Sequence, residues 1–438
     1  MLVRPTGRSH GHLYVADGRI AAIAAQRLPA VDTVDARGLL VMPGMVDAHV
    51  HFMDPGDATR EDFPTGSGAA ARAGVTTVIE HTHARPVRSA AELEAKQAHL
   101  EDRSVVDFAL AAHAWTDRMD DIDGVLRAGA AFVKAFTCTT HGVPGLRAAD
   151  LKAVLTRLEH SPVPCLVHAE DESLTDQAER RMRAAGRGDP GVIPDWRSRE
   201  AEEVAIATVA QLARRIPSRV VIAHVSGLGA LAEVARGRDA GAPLIAETCT
   251  QYLTLLESEV LEHAAFRKFT PPARAGGSDE LDRMWEAVAT GRIDYIATDH
   301  APSTRAQKRA GSIWDVHFGL PGIDTTLSVL LDAAHSGRLT YERVAELYSQ
   351  RPAEVYGLYP RKGTLEVGAD ADLVVVDPTQ TWKIRDQDIR SRAGWSPFAG
   401  RTLVGRAART YLRGRLVADG DEVVAPPGCG RFVLGAGA

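Results

Sequence analysis

The sequence predicts an α/β protein: a (β/α)8 TIM barrel over residues 42–361, with a small β-sandwich domain built from both termini, residues 1–41 and 362–438. Three observations predict it. Eight short runs rich in β-branched residues alternate with Ala-rich helical stretches, the rhythm of parallel strands joined by helices. Both ends of the chain have a different texture, short runs alternating apolar and polar residues, which the middle lacks. Side chains able to bind metal recur where the runs end, the face on which such barrels build their sites.

At the N-terminus, His12-Leu-Tyr-Val-Ala-Asp-Gly-Arg-Ile20 alternates about a tight Asp17-Gly18 turn, a hairpin signal. The same texture returns in residues 371–377 and 408–417. The eight runs are 39–51, 75–82, 107–114, 132–137, 165–170, 220–226, 244–249 and 295–300. Between them, residues 90–100 are strong helix formers. Ser198 can cap a helix reaching about Arg215, with Glu200, Glu202 and Glu203 suiting the positive end of its dipole. Residues 435–438 are expected to fray.

Composition removes several functions. A hydrophobic fraction of 45% and a charged fraction of 25% are those of a globular protein, and a net charge of -6 gives no footprint for nucleic acid. Cys138, Cys165, Cys249 and Cys429 form no C-x-x-C pair, so neither a disulfide framework nor a thiolate zinc site is expected. With no apolar leader and no apolar stretch of about 18 residues, the expectation is a cytoplasmic protein without a membrane partner.

The chemistry begins at Met42-Pro-Gly-Met-Val-Asp-Ala-His-Val-His-Phe-Met-Asp54. Residues i and i+2 of a strand share a face, so His49 and His51 can converge on one point. Alone, such a pair fits two packed or surface histidines as well as a metal site. The other run ends decide: Lys134, His168, His224 and Asp299 all fall at the same rim. Four imidazoles and a carboxylate could fill more than one four-coordinate site. Lys134 does not fit as an ammonium, which offers only donors. Carboxylated by carbon dioxide it would offer two oxygens that could bridge two ions; otherwise it pairs with an acid at the barrel mouth.

His-x-His, then Lys134-Ala-Phe, Val167-His-Ala-Glu170, Ala223-His-Val-Ser226 and Ala297-Thr-Asp-His-Ala-Pro302 resemble the cyclic amidohydrolase branch of the amidohydrolase superfamily. That branch holds allantoinases, hydantoinases, dihydropyrimidinases and dihydroorotases. The similarity runs from about residue 10 to 420 and includes Pro43-Gly44, Gly74-Val-Thr-Thr77, Glu247-Thr-Cys249, Tyr252-Leu-Thr254, Pro271-Pro-Ala-Arg274, Gly363-Thr364 and Gly368-Ala-Asp-Ala-Asp-Leu373. The resemblance implies a carboxylated Lys134 bridging two divalent metal ions, commonly Zn2+. His49, His51 and Asp299 would complete the more buried ion, and His168 and His224 the more exposed one. Asp299 would be the catalytic proton carrier as an activated water attacks a ring amide. A dimer or tetramer is also implied.

The ring is less legible. Dihydroorotases usually follow His-x-His with Leu-Arg, whereas this chain has Phe52-Met53. Asp54-Pro-Gly56 and Glu61-Asp-Phe63 look like allantoinases, yet Glu80-His-Thr-His-Ala-Arg-Pro86 and Thr250-Gln-Tyr252 replace their usual Met-Pro and Pro-His-Tyr segments. Candidate substrate contacts are Met53, His81, His83, Arg85, His141, Gln251, Leu320, Pro321 and Gly322. The function expected is allantoinase-like opening of a cyclic amide. The alternatives are a hydantoinase, a dihydropyrimidinase or another imide or lactam hydrolase, and a non-catalytic scaffold. Gly227-Leu-Gly229 resembles a dinucleotide fingerprint but would compete with His224 for one strand tip.

Overall fold

The computed structural model describes residues 1–436. Its core strands are Met45–Val50, Val75–Glu80, Asp107–Leu110 continued by Ala112–His113, Val133–Phe136, Cys165–His168, Val220–Ile222, Leu244–Cys249 and Tyr295–Ala297. Every pairing among them is parallel. A parallel bridge between Val50 and His300, with the His51 N–H donating to the His300 carbonyl at 2.8 Å, links the first strand to the segment after the last. Strand periodicity sorts the core into two layers. Ile79, Ala109, Leu166 and Val221 belong to one apolar cluster, while their neighbours Val78, Phe108, Val167 and Val220 join a larger one shared with the helices.

The helices start where the side chains allow it. Ser89 caps Ala90–Leu100 by accepting from Glu92 N at 3.3 Å, and Ser198 caps Arg199–Ala213 by accepting from Ala201 N at 3.2 Å; each cap is worth about 1 kcal/mol. Gly227 precedes the helix Leu228–Asp239, and a Cβ on Gly229 would lie 1.9 Å from Glu203 Oε1. Glu203 belongs to the helix Arg199–Ala213, which packs against Leu228–Asp239. Among the described residues no helix is long and apolar enough to cross a membrane.

The two ends of the chain share one seven-stranded sheet. It takes Leu2–Arg4, Gly7–Ser9, Leu40–Pro43, Leu373–Lys383, Thr402–Leu412, Arg415–Asp419 and Glu422–Val423. The hairpin His12–Ala16 with Arg19–Ala24 turns at Asp17-Gly18, and Leu13, Ile20 and Ile23 join Leu2, Leu365 and Leu373 in a separate small core.

Two sequence expectations need correction. The run 39–51 is two strands: Leu40–Pro43 lies in the terminal sheet and Met45–Val50 in the core. Gly44 breaks it because a Cβ there would meet Thr76 Oγ1 at 2.2 Å, and its N–H donates to the Asp372 carbonyl at 2.8 Å. Nor does the C-terminus fray at Gly435. Val433 N donates to Phe108 O at 2.8 Å and Gly435 N to Gly129 O at 3.1 Å, so this segment leaves the sheet for the core; residues 437 and 438 lie outside the described part. The two units are locked by buried Lys362, which pairs with Asp107 of the core and with Asp370 and Asp372, at 2.9 and 2.6 Å, beside the sheet.

Candidate metal centre

The strand ends bring His49, His51, Lys134, His168, His224 and Asp299 around one cleft. All are buried except Asp299, which keeps slight exposure. His224 and Asp299, each two residues beyond a strand, have φ of 39° and 48°. The left-handed region is unfavourable for residues other than glycine, costing of order 1 kcal/mol or more, and it persists where surrounding structure holds a side chain to a task. Here it turns both side chains into the cleft.

Hydrogen bonding determines which nitrogen each ring presents. His49 Nδ1 donates to Glu247 Oε1 at 2.7 Å, and His51 Nδ1 donates to the His81 carbonyl at 2.9 Å. Both acceptors require a proton on Nδ1, which leaves a lone pair on each Nε2. Those two lone pairs meet a third acceptor: Asp299 Oδ1 lies 3.2 Å from each Nε2. Burial lowers His51 to about 4, against the pull of Asp299, so this ring does not take up a second proton. His49 Nε2, His51 Nε2 and Asp299 Oδ1 thus face one another as three atoms able to ligate a metal.

A second pair stands beside it, with the His49 and His224 ring centroids 5.7 Å apart. His168 Nε2 donates to Glu170 Oε2 at 2.7 Å, which turns its Nδ1 toward His224 Nε2 at 2.9 Å. Burial alone would raise Glu170, but Arg197, His168 and Thr270 outweigh it and lower the carboxyl to about 2. Burial lowers Lys134 to about 8, opposed by Glu247 and Asp299. For Asp299 burial pushes upward, yet His49, His51 and Lys134 hold the carboxyl below its ordinary value.

Three clusters of His, Cys, Asp and Glu among the described residues have metal-ligand spacing. Two already contain a cation from the chain. Lys362 sits with Asp107, Asp370 and Asp372, and Arg197 lies 3.0 Å from Cys138 Sγ and 3.4 Å from Glu170 Oε2 in the cluster with His168. The third, His49 with His51 and His81, contains none.

The amidohydrolase family pattern matches residues 40–417. The chain belongs to the amidohydrolase family. It is 37% identical over 424 residues to a dihydroorotase of Halobacterium salinarum, covering 94% of this chain and 96% of the relative. It is 36% identical over 427 residues to an allantoinase of Rubrobacter xylanophilus, covering 96% and 93%. A solved L-hydantoinase (dihydropyrimidinase) from Arthrobacter aurescens superposes with a TM-score of 0.94 at 30% identity, covering 99% and 98%. All three names are those of hydrolases acting on cyclic amides, so the family fold, an α/β core with a second domain, and the enzyme class are shared.

The candidate substrate contacts divide. His83 and His141 border the cleft and stack at 4.2 Å between centroids. His81 packs beside His49 and His51 without lining the cleft, and Met53 is buried with its sulfur accepting from Thr82 Oγ1 at 3.2 Å. Arg85 is exposed and outside the cleft, and Gln251 donates from its side chain to the Thr298 carbonyl at 3.2 Å. Leu320, Pro321 and Gly322 fall just beyond the wall, which Phe318 and Gly319 supply instead. Gly322 N donates to His300 Nδ1 at 3.1 Å, which holds that part of the loop away.

Sequence reasoning placed the loop 319–322 at the site, of which Gly319 lines the wall, and missed Phe136, Thr270, Ala301 and Phe318 as wall residues, together with buried His113. The signal for His113 was present, since it closes the third core strand at the same rim. Glu170 and Glu247 stood only inside quoted motifs, and their work as acceptors behind His168 and His49 emerges from the packing.

Proposed function

We propose that this chain is a binuclear metal hydrolase that opens an amide bond within a small heterocycle, allantoin or a hydantoin-like ring. The observation that carries this reading is the meeting of His49 Nε2, His51 Nε2 and Asp299 Oδ1, three ligand atoms that a bound cation would satisfy together. His49, His51 and Asp299 would hold one ion, His168 and His224 the other, and a carboxylated Lys134 would join them. Zn2+ suits nitrogen and oxygen ligands of this kind. A lysine near 8 keeps some of its amine unprotonated at neutral pH, the form whose lone pair combines with carbon dioxide. When bound, two ions supply a nucleophilic water of lowered pKa and a Lewis acid for the amide carbonyl.

The remaining work belongs to the chain. Asp299, held below its ordinary value, is ionised at neutral pH and accepts the proton of the attacking water, then returns it to the leaving ring nitrogen. His83, His141 and Phe318 close one side of the cleft and place the flat ring. The parallel strands and the 50–300 bridge support a (β/α)8 barrel over residues 42–361 with the termini forming the small domain. Four free cysteines, three of them buried, support a reducing cytoplasm, and the family resemblance supports a dimer or tetramer.

A hydantoinase or dihydropyrimidinase is the second reading, favoured by the TM-score of 0.94 to the L-hydantoinase. The test is elemental analysis of zinc-grown protein combined with hydrolysis assays on allantoin, hydantoin, dihydrouracil, dihydroorotate and simple imides. Two metals per chain with one ring opened supports the proposal and names the ring. Protein that binds no metal and opens none of them refutes it.

A further inference from the structure

The function above leaves two buried histidines beside the site, His81 and His113, without a task. His81 follows the second core strand, is 1% exposed, and has no hydrogen-bond partner on either ring nitrogen. Its surroundings are other rings. His51 lies 4.3 Å and His49 4.6 Å away between centroids, Phe132 meets it edge-on at 5.0 Å, and His113 stands at 5.8 Å. His113 is also buried and unpartnered on both nitrogens. Two adjacent unpaired imidazoles in a protein interior are costly, so a compensating contact is called for. One ligand atom each of His49, His51 and His81 lie within 4.8 Å of one another. Ligands at about 2.0–2.1 Å from a shared ion reach that arrangement with small movements.

We propose that His81 is an additional ligand of the ion held by His49, His51 and Asp299. The inference rests on the metal reading given above. A neutral imidazole binds through one nitrogen and needs an acceptor for the N–H on the other. His113 is the unpartnered ring beside it, so a single arrangement employs both orphaned histidines. An extra ligand raises the coordination number at the buried ion and favours metals that accept six ligands over those held as tetrahedra.

The experiment uses full-length protein loaded with Co2+, comparing the unaltered chain with His81→Gly and His81→Gln, the latter preserving bulk should the former fail to fold. Three quantities are read: Co2+ per chain, the affinity of each ion by chelator competition, and the visible absorption of the metal. Both variants should keep one ion at unchanged affinity and hold the other at least about tenfold more weakly. Their visible bands should intensify as the coordination number falls, and added imidazole should restore the original spectrum of His81→Gly. Variants with unaltered affinity and spectrum at both ions overturn the proposal, and so does a folded His81→Gly that ignores imidazole. If the unaltered chain binds no Co2+, the metal reading itself fails and takes this inference with it. Two ions bound and no effect of either variant sinks only the assignment of His81.

Discussion

Glu247→Gln tests how the cation site is held together. Glu247 is fully buried in Leu244–Cys249, and its carboxylate receives three donors: His49 Nδ1 at 2.7 Å, the His224 backbone N–H at 3.1 Å and the Tyr295 hydroxyl at 2.7 Å. Glutamine exchanges one acceptor oxygen for a donor. Tyr295 can turn its proton to Tyr356, 2.7 Å away, so the amide nitrogen faces Tyr295 and the amide oxygen stays on His49 and His224. The fold survives, but two hydrogen bonds lose the help of a full charge. Bonds to charged groups contribute about 1.5–3 kcal/mol and neutral ones about 0.5–1.5, so the loss is about 1–3 kcal/mol in holding the ring of His49 and the backbone of His224. That converts to roughly a tenfold to hundredfold weaker metal site, the range seen when the partner behind a ligand is removed. Chelator competition measures it, with the melting temperature of the metal-free protein as the control for folding. Unchanged metal affinity in folded Glu247→Gln would refute the claim that the charge of Glu247 strengthens the hold on His49 and His224.

Asp299→Asn should still bind metal through its remaining oxygen but lose about 10²–10⁴ in kcat, the contribution of a positioned proton carrier; turnover within a factor of a few of the parent removes Asp299 from that role. Lys134→Ala should lose the metal pair, and elemental analysis showing two ions per chain in that variant sinks the carbamate bridge. For pH, Glu170 is lowered from 4.5 to about 2, with Arg197, His168 and Thr270 overcoming burial. A depressed carboxyl stabilises the fold above its unfolded value, and that stability, roughly 3 kcal/mol, is lost as pH falls from 4.5 through 2. Acid unfolding of the metal-free protein should show this loss, and Glu170→Gln should flatten it; an identical slope in the variant refutes the assignment.

The sequence by itself determined the elements and the kinds of side chain they deliver. The strand runs, the helix over residues 90–100, the helix cap at Ser198 and the hairpin about Asp17-Gly18 all follow from local periodicity and turn chemistry, which need no distant partner. Local rules failed where distant parts of the chain intervened. The Thr76 side chain packs against Gly44, where the run 39–51 divides into two strands, and Phe108 with Gly129 holds residues 433–435, expected in part to fray. Tertiary structure alone decided how the site is wired. His49 finds its acceptor 198 residues away in Glu247, and His51 meets Asp299 across 248 residues. Tautomers, the unpaired rings of His81 and His113, and the replacement of Leu320–Gly322 by Phe318 and Gly319 in the wall are set by which groups meet when the strands assemble. A residue's chemistry is written in the chain, but its protonation and its partners belong to the surroundings that folding builds around it.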